Sequence, residues 1–147
     1  MDYNYIEDIS LLDIDAIILI EKKSYKNPWT INHFKNDIQN KLSLNYMYKN
    51  NNELKGYLFG YLIKDEYHLN KITVKRIHRQ KKIGKLLFFY CLKQLSSKNV
   101  RCIQLEVSSL NLIAQKFYKS LSFVEVGIRK KYYSEYDDAL LYNLEIR

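Results

Sequence analysis

The stretch KRIHRQKKIGK at 75–85 is the most basic in the chain, and it stands directly before a segment with helical spacing. Free backbone N–H groups and the positive end of the helix dipole make a helix start a phosphate site, and flanking Lys and Arg side chains add charge of the right sign. The chemistry on offer is the binding of a phosphate-bearing ligand. A basic run alone is more often a solvated turn, so its surroundings decide between the two. Elsewhere the reactive side chains are scattered. His33, His68 and His78 share no ligand spacing, and Cys91 and Cys102 sit inside apolar runs without a CxxC pair. The sequence therefore predicts no metal site and no disulfide framework.

The elements that must position this loop are readable from periodicity. Residues 3–8 read as a first strand. Ser10 with Asp13 three positions on is a variant capping box. Leu11, Ile14, Ile17, Ile18 and Glu21 keep helical spacing to about Tyr25, where Asn27 and Pro28 break it. A second helix is expected from Thr30 to about Asn40. SLNYMYK at 43–49 and ELKGYLFGYLIK at 53–64 read as a hairpin around an Asn-rich turn, and a third strand over 67–74 completes an antiparallel meander. After the basic loop, Ile83, Leu86, Leu87, Tyr90, Cys91 and Leu95 line one helix face. A strand over 101–107 follows, so strand, loop, helix and strand form a βαβ crossover with parallel strands. A shorter helix over 111–121 carries Ala114, Phe117, Tyr118 and Leu121 on one face, and strands at 123–130 and 139–145 end the pattern. The fold expected is mixed α/β, with seven strands, the fourth and fifth parallel, and about four helices. Open α/β sheets bind ligands where parallel strands separate at their C-terminal ends, here Val74 and Val107. The basic loop begins at that crevice.

Length and composition agree with one folded unit over 1–147: the 147 residues are 47% hydrophobic and 14% aromatic, enough for a core without staples. Lys and Arg outnumber Asp and Glu by 24 to 16, a net charge of +8 that favours anionic partners without defining a site. The start, MDYNYIED, is acidic where a signal peptide is basic, and LLDIDAIILI is too short and too interrupted to span a membrane. A cytoplasmic location with no membrane partner is the expectation.

Taken in order, ITV at 72–74, RQKKIGK at 79–85, LEV at 105–107, Asn111 and FYKSLSF at 117–123 resemble the GNAT acetyltransferase superfamily. NPWT at 27–30, LEVSSLN at 105–111 and Tyr132–Tyr133 before DDA at 137–139 resemble its RimI-type branch, enzymes that acetylate the N-terminal alanine of a small-subunit ribosomal protein. The resemblance covers nearly the whole chain. It implies acetyl-CoA as co-substrate, held between the splayed fourth and fifth strands, and no metal. By resemblance Ile72, Thr73 and Val74 present backbone groups to the pantetheine arm and acetyl carbonyl. Gln80, Lys81, Lys82, Ile83, Gly84 and Lys85 cradle the pyrophosphate, and Asn111 contacts coenzyme A. Glu106 is implied as general base and Tyr118 as general acid. Trp29, Tyr132 and Tyr133 are candidates to meet the acceptor, the tyrosines from a loop. Two positions depart from the family pattern. Lys82 stands where the first Gly of Gln/Arg-xxGxG belongs, and Ser122 stands where a Gly usually caps the preceding helix. A side chain at Lys82 costs about 1 to 2 kcal/mol wherever left-handed geometry is kept.

The implied reaction needs a neutral amine. Near pH 7.4 an α-amino group is roughly 20% neutral and a lysine about 0.1%, a difference of about 3 kcal/mol that favours an N-terminal acceptor. A free carboxylate near pKa 4.3 is a weak base towards an ammonium near 8, so Glu106 is expected to work through water or from a buried setting. A phenol near 10 is uphill as an acid to a thiolate near 8.5 by about 2 kcal/mol, which suits Tyr118 to hydrogen-bond donation. The alternatives are a GNAT enzyme acting on protein lysine or a polyamine, and, in another class, a non-catalytic basic module on RNA or the ribosome. The latter predicts steeply salt-dependent RNA binding, and the chain has no RNA-binding motif, so specific nucleic-acid binding is not expected.

Overall fold

The computed structural model describes residues 2–146. Among them, strands β1 (Ile6–Asp8), β2 (Tyr46–Asn50), β3 (Glu53–Ile63), β4 (Glu66–Val74), β5 (Cys102–Ser108), β6 (Val124–Ser134) and β7 (Asp137–Glu145) form one sheet. Their order is β1-β2-β3-β4-β5-β7-β6. Every neighbouring pair is antiparallel except β4 with β5. Helices α1 (Ile14–Ser24) and α2 (Ile31–Gln39) cover one face, and α3 (Ile83–Ser96) and α4 (Leu112–Ser120) the other. This is the expected mixed architecture. Residues 1 and 147 of the expected 1–147 unit lie outside the described residues.

Local chemistry accounts for where the helices start. The Ser10 hydroxyl accepts from Leu12 N–H at 3.3 Å, and the Asp13 carboxylate accepts from Ser10 N–H at 2.8 Å, closing the expected capping box over a 3-10 turn that leads into α1. The Thr30 hydroxyl caps α2 by accepting from His33 N–H at 3.1 Å. On α1, Ile14, Ile17 and Ile18 pack with Phe34 of α2 against Tyr57 and Phe59 of β3. Glu21, next in that stripe, is fully buried as well. On α3, Ile83, Leu87, Phe88, Cys91 and Leu95 bury against Leu58, Ile103, Leu105 and Val107 on the opposite face. Each large apolar side chain removed from water contributes about 1.5 to 3 kcal/mol, so these stripes hold the helices on the sheet.

Three features differ from the reading by periodicity. β1 begins at Ile6, because Tyr3 O accepts from Ile6 N–H and turns the residues before it. β6 runs on to Ser134, where it pairs with Asp137, so Tyr132 and Tyr133 belong to a strand and not to a loop. Finally, Phe59 pairs with Lys71 and Gly60 with Leu69, which leaves Asn70 as an extra, bulged residue in β4.

The crossover sets the stage for chemistry. β4 and β5 pair only at Glu66, Tyr67 and His68 with Cys102, Ile103 and Gln104. Beyond these both strands continue, to Val74 and Ser108, with no ladder between them. β5 stays bound to β7 along its whole length, while β4 stays with β3, and the sheet opens between them.

Candidate active site

An open cleft of about 810 Å3 lies in that gap. Ile72, Thr73 and Val74 of β4 form one wall, and Arg79, Gln80, Lys82, Ile83, Gly84 and Lys85 form the loop and first turn of α3. Asn111, Ala114, Phe117 and Tyr118 line it from α4, and Ser24 and Tyr25 close it from the α1 side of the sheet. The residues singled out for the cofactor thus converge, with the exception of Lys81, which is exposed and outside the lining.

Lys82 is the N-cap of α3 with φ 66° and ψ 12°, and its side chain makes no capping hydrogen bond. The left-handed geometry that the family's glycine would take up without strain is therefore kept by a lysine. Gln80, with φ 60°, is left-handed too, and so is Ser122, with φ 75°, at the second departure. Gly84 has another reason to be glycine: a Cβ there would stand 3.3 Å from the Phe117 ring, so the start of α3 and α4 approach closely across the cleft. Arg79 Nε donates to Val74 O at 2.9 Å, pinning the loop to the end of β4. Glu53, at the β2–β3 turn, accepts from Lys75 Nζ at 3.0 Å and contacts His78 Nε2 at 2.9 Å. Hydrogen bonds from His78 and Lys75 hold its carboxyl down at about 2.

Asn111 has a structural duty besides lining the cleft. Its side-chain oxygen caps α4 by accepting from Ala114 N–H at 3.0 Å, leaving its amide N–H groups for a ligand. Asp137 accepts from Ser108 and Ser109 hydroxyls at 2.6 and 3.2 Å, and Asp138 accepts from Lys131 N–H at 2.8 Å. These carboxylates brace the loop after β5 and the β6–β7 hairpin.

Tyr118 is half-buried against Phe117 and Phe123. Its hydroxyl has no protein hydrogen-bond partner among the described residues. Burial, and next the Tyr25 phenol, push its pKa well above the ordinary tyrosine range. Glu106 takes the other face of the sheet. Ile103, Leu105 and Val107 of β5 point into the α3–α4 core, and strand alternation turns Glu106 towards the side of α1 and α2. There its side chain is 31% exposed and 3.4 Å from Arg129. It does not line the cleft proper, and its setting is solvated, not the buried one held open as a possibility. Tyr133 stands near it: burial and then the Glu106 charge raise the Tyr133 phenol. Tyr132 lies edge-on to Tyr133 and 5.5 Å from the Arg129 guanidinium.

Tyr25 is the residue that periodicity missed. Its hydroxyl shares a 2.6 Å hydrogen bond with the Thr73 hydroxyl, which places a second phenol at the same end of the cleft as Tyr118. Trp29, four residues on, lies outside the lining, half-buried and stacked at 3.8 Å on His33. Among the described residues no group of His, Cys, Asp and Glu is placed to hold a metal ion, and no helix is long and apolar enough to cross a membrane.

A model of the acetyltransferase (GNAT) family matches residues 14–123. The ribosomal protein bS18-alanine N-acetyltransferase of Haemophilus influenzae is 32% identical over 128 residues, covering 87% of this chain and 86% of the relative. Its Escherichia coli counterpart is 28% identical over 146 residues, covering 97% and 98%. The crystal structure of the ribosomal-protein-S18-alanine N-acetyltransferase from Escherichia coli superposes with a TM-score of 0.89 at 27% identity, over 96% of this chain and 92% of that one.

Proposed function

The chain belongs to the acetyltransferase (GNAT) family, and from that premise we propose that it transfers the acetyl group of acetyl-CoA to the N-terminal alanine amine of a small-subunit ribosomal protein in the cytoplasm, by direct attack in a ternary complex. Relatives named for that reaction align over most of the chain, which supports this acceptor over protein lysine or a polyamine. The net charge of +8 favours encounter with ribosomal RNA around such an acceptor.

The residues present fit acetyl-CoA. Arg79, Lys82 and Lys85 surround the start of α3, where N–H groups and cations suit a pyrophosphate. The edge of β4 from Leu69 to Thr73 has no β5 partner, so backbone groups along it are open to a pantetheine arm. When bound, acetyl-CoA supplies an acetyl group already activated as a thioester.

The chain's own residues then hold and move protons. Tyr118, kept neutral by burial, is a steady hydrogen-bond donor to a leaving sulfur, though an even weaker acid than a free phenol. Glu106, solvated and beside Arg129, serves as acceptor for a proton that leaves the amine through water. The acceptor approaches from the α1–α2 face, where Glu106 and the Tyr132–Tyr133 pair stand on one side and the loop between α1 and α2 on the other.

One observation carries this reading: the gap between β4 and β5 joins a basic helix start to a phenol that has no hydrogen-bond partner among the described residues. The test is a peptide panel read by mass spectrometry with acetyl-CoA. Acetylation of alanine-first ribosomal peptides, and none of N-blocked peptides that contain lysine, is expected. Turnover confined to lysine side chains or polyamines overturns the acceptor assignment.

A further inference from the structure

Glu21 and Lys71 form a buried ion pair that the reaction as described does not use. Glu21 is fully buried and Lys71 is 9% exposed. The Glu21 carboxylate ties four parts of the fold together. From α1 it accepts from Tyr57 OH of β3 at 2.6 Å, from Trp29 N–H of the α1–α2 loop at 2.9 Å, and from Lys71 Nζ of β4. The ammonium, in turn, sits 4.0 Å from the centre of the Tyr25 ring and 4.3 Å from that of Trp29. Both rings belong to the connection between α1 and α2. One cation thus faces a carboxylate and two π surfaces.

A hydrophobic pair at these positions would hold a helix on a sheet at least as well, because desolvating two charges offsets much of what their attraction returns. Burial draws the Lys71 ammonium below its ordinary range, and the Glu21 carboxylate only partly opposes this. What the pair adds is direction. A charge-assisted hydrogen bond fixes the Trp29 backbone, and cation–π contacts fix the faces of both rings, where apolar packing would leave the loop free to slide. Tyr25 then reaches Thr73, and through Thr73 the cleft wall beside Tyr118.

We infer that Glu21 and Lys71 are positioning residues for the acceptor, holding the Tyr25–Trp29 segment as the wall against which the incoming amine is aligned. This rests on the proposed N-acetyltransferase reading. The residues for the pyrophosphate lie on the loop before α3, and Asn111 at the start of α4, away from this cluster; of the β4 cofactor residues Thr73 meets it, through Tyr25. The pair therefore acts on acceptor affinity far more than on acetyl-CoA affinity.

The test uses the full chain and three variants: Lys71→Met, Lys71→Arg and the double variant Glu21→Gln/Lys71→Met, which removes both charges and protects the fold if the single Met variant is unstable. Trp29 is the one tryptophan of the chain, so its emission reports on the loop directly. In Lys71→Met and in the double variant the acceptor KM is expected to rise at least fivefold, with the acetyl-CoA dissociation constant within twofold of wild type and Trp29 emission shifted. Lys71→Arg is expected to recover most of the acceptor KM. A purely structural pair predicts changed melting temperatures alone, so an acceptor KM within twofold of wild type in the double variant overturns the inference, whatever the emission does. Failure of the wild type to acetylate an alanine-first peptide would instead strike the function proposed above.

Discussion

Lys82 holds a left-handed backbone at the mouth of the α3 helix, where a Cβ is strained by about 1 kcal/mol relative to glycine. Lys82→Gly should therefore stabilise the protein by about that amount, seen as a higher urea midpoint at unchanged m-value. Lys82→Ala removes the ammonium but keeps the Cβ, so it should gain nothing; equal gains in both variants would show that charge, not backbone, sets the cost. Catalysis is testable at the same scale. Glu106→Gln and Tyr118→Phe should each lower kcat at least tenfold while leaving coenzyme A binding by calorimetry nearly intact. Unchanged turnover in both removes these roles. The Lys82 problem was legible in the sequence, because the family pattern places glycine there and the backbone demand does not change with the side chain. Tyr25 was not legible. Its place depends on a hydroxyl 48 residues away, and no local pattern records such a partner.

At the scale of elements, the βαβ crossover was readable because α3 displays an unbroken apolar stripe and the strands on either side end in turn residues. The bulge in β4 was not, since Asn70 looks like any polar strand residue until the register with β3 is known. Nor was the length of β6, which depends on pairing with β7 through a run rich in charged residues and tyrosines. Asn111 joins an element to the site, and its two duties can be separated. Asn111→Ala should cost about 1 kcal/mol by removing the α4 cap, and should also weaken coenzyme A binding. Asn111→Asp keeps an N-cap acceptor but no amide donor. Urea melts of Asn111→Asp should match wild type while coenzyme A binding stays weak; recovery of both would assign Asn111 to capping alone.

The whole molecule ties its cofactor loop to a distant turn through Glu53. This residue, the first of β3, bonds Lys75 and His78 just past the end of β4, so the loop is fastened by a contact that neither segment announces in sequence. Its folded-state pKa, about 2, lies below the ordinary 4.5. Because the unfolded chain then binds the proton more tightly than the folded one, stability rises with pH between the two values. The contribution is fully present above about pH 4.5 and is lost as the pH falls through about 2. The group is solvent-exposed, so salt should weaken its attraction to Lys75 and His78. Glu53→Gln should accordingly lower stability at pH 7, where the contribution is fully present, and converge with wild type towards pH 2, so that the acid limb measured by denaturant titration from pH 5 to 2 is flattened. The same variant frees Lys75 and His78 beside the basic loop, so acetyl-CoA affinity at neutral pH should shift while the acceptor KM does not. An acid limb that keeps its wild-type slope would show that Glu53 titrates alike in the folded and unfolded chain.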